Sequence, residues 1–439
     1  MPTLQVRNAC ILTMVPGQEP IPDGELICRD GLIEYVGPSR TRPEPGDQVC
    51  PTERVDQTLD AEGAVLIPGL VNAHTHLAMT LLRGFADDMP LQQWLEECIW
   101  PTEARLDQDD VYWGAMLGIL EMLQAGITCF CDMYHFPAAG TRAAIDGGLR
   151  ALPSGVLLQF TDHLNNVSTA LEFVLELRKN APSRIIPMLG PHAPYSCTPE
   201  MLHRVAEAAI EHHLGVHIHV AETRDEVQQV KQRTGMTPVE YLDSVGLLDN
   251  HVTAAHCIHV TDSEVELLAD KQIGIVHCPS SNMKLASGFA PVPRMLQAGA
   301  RVGLGTDGAA SNNRLDVLQE ARMAALIHKG YSADPGVVTS KQALHMATYG
   351  GAQALGLADS IGTLEVGKCA DFAIISLAGA HTQPLHHLHS QLIYAAHAGD
   401  VVCTVVDGVV LYERGNFPHL DAERIMSRAR EAAHRLVNS

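Results

Sequence analysis

Histidine recurs in this sequence at the places where short apolar runs stop. The run from Ala64 through Pro68-Gly69 leads to His74-Thr75-His76. Alternate residues of a strand share a face, so these two imidazoles point the same way. Val216–Val220 carries His217 and His219, with Glu222 just beyond, and Val252–His256 ends in His256. Ile185–Leu189 runs into Gly190-Pro191-His192, Ile273–His277 ends in His277, and Ala300–Gly305 leads into Thr306-Asp307-Gly308. One histidine at one strand end says little, because most are satisfied surface or core residues. His, Glu and Asp at five or more such ends point to a shared site.

Three imidazoles and one carboxylate, from His74, His76, His219 and Asp307, suit zinc or ferrous iron and leave a position for water. A cation held there lowers the pKa of that water towards neutrality. His219 is preferred to His217 because it lies nearer the strand end and three residues before Glu222. Glu222 suits a general acid/base that moves a proton within a buried mouth. His256 can hold the hydroxide from a second side. Asp307 can both touch the metal and accept the water's proton.

Such a set needs a scaffold that brings many strand ends together. From Ala64 to Leu364 short apolar strands alternate with longer helical patterns, which is the βαβ signature. Strands are expected at Ile127–Asp132, Ala151–Leu158, Ile185–Leu189, Val216–Val220, Val252–His256, Ile273–His277 and Ala300–Gly305, after the first at Ala64. Helices are expected at Asp109–Gln124 and Thr198–His213, the second opened by a Thr N-cap and Pro at its first position. Eight parallel strands predict an α/β fold, a (β/α)8 TIM barrel with its active site at the C-terminal strand ends. The rival, a doubly wound open sheet, lacks a glycine fingerprint after the first strand. Residues 1–63 and 365–439 read as strands joined by tight turns at Asp30-Gly31 and Asp407-Gly408. They predict a small β-sandwich domain built from both chain ends, closed by a surface helix over Asp421–Val437. The barrel then occupies 64–364.

Composition excludes several roles. The formal charge of −21 argues against nucleic acid and anionic membranes as partners. No apolar run is long enough to span a bilayer, and the first residues lack the pattern of a signal peptide. Eleven cysteines without a CxxC fit reduced thiols and predict a cytoplasmic protein. Many of the 23 histidines need no special role, among them His212, His213, His386, His387 and His389.

The motifs PGLVNAHTHL, LRGFADDMPLQQWL, GPHAPYSC, HIHVAET, AAHCIH, HCPSSNMKLASGFAPV and LGTDGAASNN span about residues 65–355. Together they resemble the amidohydrolase superfamily, and within it the branch of methylthioadenosine/S-adenosylhomocysteine deaminases and triazine hydrolases. The resemblance implies metal ligands at His74, His76, His219 and Asp307, with Glu222, His256 and Asp307 as catalytic groups. Two-metal members of the superfamily carry a modified Lys at the fourth strand end. IIPMLGPHAP has none, which implies one divalent metal per chain, zinc in preference to iron. The tract Trp100–Leu106 resembles the segment whose Glu receives the ribose hydroxyls, implying that role for Glu103. The alternative is that Glu103 caps the helix beginning near Asp107. His192 resembles a position that contacts the nucleoside, with a structural role in a Pro-flanked turn as the alternative.

The expected reaction is hydrolytic deamination of an adenine nucleoside. Hydroxide adds to C6, Glu222 protonates the adjacent ring nitrogen, and ammonia leaves. Alternatives are amino- or chlorohydrolase chemistry on a triazine, pterin or guanine, and a barrel that has lost catalysis and serves as a scaffold. The implied partners are a small nucleoside and further copies of the chain. Relatives accepting S-adenosylhomocysteine place Arg residues between the third and fourth strands. Ala151–Leu177 has no Lys or Arg but carries Asp162, Glu172 and Glu176. This predicts a preference for neutral 5′-substituents, unless Arg83, Arg105 or Arg150 reaches in.

Overall fold

A computed structural model describes residues 3–40, 55–161 and 164–438; Asp162 lies outside them. Five strands come first: Leu4–Ile11 (β1), Ile21–Arg29 (β2), Leu32–Pro38 (β3), Gln57–Asp60 (β4) and Val65–Pro68 (β5). Eight parallel strands follow, each separated from the next by one or more helices: Leu70–Thr75 (β6), Ile127–Asp132 (β7), Arg150–Leu157 (β8), Met188–Pro191 (β9), Val216–Val220 (β10), Val252–His256 (β11), Gly274–His277 (β12) and Arg301–Leu304 (β13). Phe372–Ile375 (β14), Val401–Val406 (β15) and Val409–Glu413 (β16) return to the first sheet. This is the expected TIM barrel with a small β domain made from both chain ends. Among the described residues no helix is long and apolar enough to cross a membrane.

Barrel strands β6 to β13 pair in chain order, with neighbouring strands in parallel register. The seam between β13 and β6 is closed by the Asp307 amide donating to the His74 carbonyl at 3.0 Å. Every residue of β6 to β12 is buried, as parallel strands covered on both faces must be. In β10, Val216, Ile218 and Val220 alternate with His217 and His219, so the two imidazoles share the other face. The register between β6 and β7 slips between Asn72 and Thr75. Such irregularities re-aim side chains beside active sites, and His74 sits in this one.

The run beginning at Ala64 is two strands, not one. Val65–Pro68 pairs with β1 and β14 in the terminal sheet, and the chain enters the barrel only after Gly69. A Cβ at Gly69 would lie 2.0 Å from Thr128 Oγ1, so only glycine fits this crossover. The fourth barrel strand also sits further along than expected. Ile185 makes one isolated bridge to Ala151, and the strand forms at Met188–Pro191, ending directly at His192.

Both hairpin turns form as predicted. Asp30-Gly31 and Asp407-Gly408 have positive φ at both positions, the requirement of the tight turn that suits a strand's twist. The closing helix runs over Ala422–Asn438, and its Arg435 reaches Asp107 and Asp110 at the start of helix Gln108–Gln124. At the opposite end of the barrel from the mouth, Arg150 opens β8. Its Nε donates to Asp371 Oδ2 at 2.8 Å and its Nη2 to Asp371 Oδ1 at 3.1 Å and to Asp407. A buried guanidinium thus fastens the barrel to the terminal sheet, too far down its strand to serve a substrate.

Candidate active site

The expected residues arrive on separate strands and meet at one mouth. His74 lies in β6 and His76 just after it, while His219 lies in β10 with Glu222 beyond its end. His256 closes β11, and Asp307 follows β13. The His76 Nδ1–H donates to the Met133 carbonyl at 2.5 Å, and the His219 Nδ1–H to the His192 carbonyl at 2.7 Å. A carbonyl can only accept, so both rings carry a proton on Nδ1 and turn their Nε2 atoms inward, 3.4 Å apart. His74 Nε2 is buried without a hydrogen-bond partner. Ligand atoms of His74, His76 and His219 lie within 4.8 Å of one another, and so do those of His74, His256 and Asp307.

Asp307 completes the cluster, its Oδ1 3.2 Å from His76 Nε2 and 3.5 Å from His74 Nε2. The Gly308 amide donates to Oδ1 at 2.7 Å, and the hydroxyls of Ser281 and Ser311 donate to Oδ2 at 2.6 and 3.0 Å. The backbone at Asp307 holds φ +59°, a left-handed conformation that costs energy for most residues and clusters at functional sites. Burial alone would raise this carboxyl, but the imidazoles of His74 and His76 hold it well below the usual carboxylate range.

Burial pushes His74 down to about 4 and His192 to about 3, and drives His219 well below the usual imidazole range. Neutral imidazoles are the form that ligates a cation. His76 differs. Burial opposes its charge, yet the adjacent Asp307 carboxylate and the Met133 carbonyl lift it to about 9. The position between Asp307 and the imidazoles therefore favours positive charge, and that attraction would act equally on a divalent cation. Orphaned nitrogen, convergent lone pairs and an ionised carboxylate together fit a metal centre.

Glu222 and His256 face this cluster from the side. His256 Nε2 lies 3.8 Å from Glu222 Oε2, and its Nδ1 lies 2.8 Å from Asn282 Oδ1. Burial raises the Glu222 carboxyl above its ordinary value, only partly offset by His256. The turn that projects Glu222 is held by a second carboxylate. Glu226 accepts the backbone N–H groups of Ala221 at 2.9 Å and Glu222 at 2.7 Å, and Ala221 has φ +50°. Burial pushes Glu226 up to about 7.

A cavity opens over these groups, and its lining includes Trp94, Trp100, Glu103, Tyr134, His135 and His192. Glu103 does not cap the helix at 108. Asp107 does so, accepting from the Asp110 amide in a reciprocal box. Glu103 instead lies buried with Oε2 3.5 Å from His135 Nε2. His192 stacks obliquely on His219, ring centroids 4.7 Å apart, and its Nδ1 lies 2.8 Å from Ser196 Oγ. His277 is not brought into the mouth; its Nε2 lies 3.3 Å from His328 Nε2. Arg83 is engaged by Glu121 and the Asn313 carbonyl, and Arg105 Nη2 donates to Thr102 Oγ1 at 3.3 Å. Among the described residues lining the cavity there is no Lys or Arg.

Several contributors escaped the reading of the sequence. Ser281 and Asn282 lie within the HCPSSNMK motif, but nothing in its letters assigns them to Asp307 and His256. Tyr134 and His135 follow the end of β7, and strand-end position was the available signal. Glu226 stands three residues after Thr223, a pattern that reads as a helix capping box.

The amidohydrolase family model matches residues 65–411. A 5-methylthioadenosine/S-adenosylhomocysteine deaminase of Pelotomaculum thermopropionicum is 47% identical over the whole of both chains. Among solved structures, an adenosine deaminase from Xanthomonas campestris with bound zinc superposes with a TM-score of 0.93 at 36% identity, covering 99% of each chain. An atrazine chlorohydrolase from Arthrobacter aurescens TC1, complexed with zinc, gives 0.88 at 26% identity over 98% of this chain and 100% of its own.

Proposed function

The chain belongs to the amidohydrolase family and, within it, to the methylthioadenosine/S-adenosylhomocysteine deaminases, and from that premise we propose how its site works. It is a metal-dependent hydrolytic deaminase of adenine nucleosides. One observation carries the assignment of roles. Three imidazoles and the Asp307 carboxylate converge beside Glu222 and His256, in a cavity that also holds a buried carboxylate, Glu103.

His74, His76, His219 and Asp307 would hold a single divalent metal, zinc in preference to iron. When bound, it supplies a water activated near neutral pH. Asp307, ionised throughout the working range, accepts a proton from the attacking water. Its two serine contacts and the Gly308 amide keep the carboxylate aimed. His256, fixed by Asn282, presents Nε2 to the attacking oxygen from the other side. Glu222, whose raised pKa keeps it able to carry a proton, protonates the ring nitrogen beside C6. The amino group then takes the proton held on Asp307 and leaves as ammonia, while C6 keeps the water's oxygen and Glu222 takes back that oxygen's remaining proton. Glu103 receives the ribose hydroxyls, since a carboxylate accepts from both members of a vicinal diol. His192 contacts the base.

Glu103 favours a nucleoside over a triazine, pterin or free guanine, none of which offers it a diol. The lack of Lys and Arg among the described lining residues favours neutral 5′-substituents, because a carboxylate there would meet no bidentate partner. The test is kcat/KM for methylthioadenosine, adenosine, S-adenosylhomocysteine, guanine and a chlorotriazine in one buffer. The neutral nucleosides should lead. Guanine or the triazine outrunning them would overturn the substrate class; S-adenosylhomocysteine matching them would overturn the 5′ preference alone.

A further inference from the structure

His217 is the strand-end histidine that the reaction leaves over. It lies in β10 two residues before His219, fully buried. Its Nε2 is 2.8 Å from His74 Nδ1. Across the ring, its Nδ1 is 3.1 Å from Ser154 Oγ and 3.3 Å from Cys131 Sγ. Both nitrogens are engaged, so the position of its single proton can be assigned.

His74 can offer a cation only its Nε2, the atom turned towards Asp307 and His76. A neutral imidazole with a bare Nε2 carries its proton on Nδ1. The partner for that proton is His217 Nε2, which must therefore be bare in turn. His217 then holds its own proton on Nδ1 and donates it to Ser154 Oγ. The Cys131 thiol directs its S–H to Met188 Sδ at 3.9 Å, leaving the sulfur as a weak second acceptor. His76 and His219 need no such chain, because each gives its Nδ1–H to a backbone carbonyl that can only accept. His74 alone of the three imidazoles relies on a side chain able to donate or accept, so that side chain needs a partner of its own.

We infer that His217 is a positioning residue of the metal centre: it accepts the His74 Nδ1–H and holds the His74 Nε2 towards the cation, with Ser154 setting its tautomer. This rests on the assignment of His74 as a ligand. Loss of such an outer partner typically lowers metal affinity 10- to 100-fold.

The test measures the zinc dissociation constant by competition with a chromophoric chelator, for the parent and for His217→Phe, His217→Gln and His74→Ala, alongside the melting temperature of each. His217→Phe keeps a ring of similar size but no acceptor, and should bind zinc about 10- to 100-fold more weakly. His217→Gln offers an amide oxygen to His74 and should stay within a few-fold of the parent. Equal weakening in both, or none in His217→Phe, overturns the inference. His74→Ala should lose tight binding; if it does not, the ligand assignment is what fails. Should His217→Phe not fold, long-range ¹H–¹⁵N spectra of the zinc-loaded parent decide instead. Protons on Nδ1 of both His74 and His217 are expected, and an Nε2 proton on His217 overturns the inference.

Discussion

Replacing Glu103 with Ala removes a carboxylate that lies only 8% exposed in the cavity wall, 3.5 Å from His135 Nε2. If it receives the ribose diol, each hydroxyl makes a hydrogen bond to a charged group, about 1.5–3 kcal/mol apiece. At 1.36 kcal/mol per decade, one bond corresponds to about 10- to 150-fold in rate. Two bonds to one carboxylate are not additive, so kcat/KM for adenosine should fall by about 10-fold to 10³-fold. The informative assay is a cycle comparing adenosine with 2′-deoxyadenosine on parent and Glu103→Ala enzyme. The parent should discriminate against the deoxynucleoside, and the variant should lose most of that discrimination. The helix at 108 keeps its Asp107 cap in the variant, so the melting temperature should move little. An undiminished preference for adenosine in Glu103→Ala would refute the diol role.

Glu222→Gln should bind metal as the parent does and lose about 10² to 10⁴ in kcat, since an amide keeps the shape but cannot carry the proton; turnover within a few-fold of the parent would exclude Glu222 as the shuttle. Elemental analysis of zinc-saturated protein should find about one ion per chain, because β9 ends at His192 without the Lys of a two-metal site. Two tightly held ions would contradict this. Arg150→Met strips Asp371 and Asp407 of their shared cation. Leaving Asp371 buried and unpaired should cost about 3–5 kcal/mol of stability by denaturant unfolding, with the KM of the surviving folded enzyme unchanged.

The fold was legible because its signals are periodic. β10 reads as a strand from VHIHV alone, and the same alternation places His217 and His219 on one face. The convergence of His74, His76, His219 and Asp307 was legible because strand ends in such a barrel share a mouth. Depth was harder to read. Position nearer the strand end favoured His219 over His217 for the cluster, but alternation alone gave no sign that His217 would lie against His74, 2.8 Å from its Nδ1. Glu226 shows a different gap. Thr223 does cap the helix, accepting from the Glu226 amide at 3.1 Å, but the Glu226 side chain passes over the capping box to hold Ala221 and Glu222. That choice depends on the left-handed backbone at Ala221, which no local pattern announces for alanine. Ser281 and Ser311 became visible only once β12 and β13 brought two loops to one carboxylate.

The most direct test of the central claim follows methylthioadenosine turnover in ¹⁸O-enriched water. Hydrolytic deamination at this site predicts one ammonia released per substrate and one solvent oxygen carried in the purine ring product, with both signals lost together in Glu222→Gln. Release of free adenine with its amino group intact, or a purine product without solvent oxygen, would contradict it.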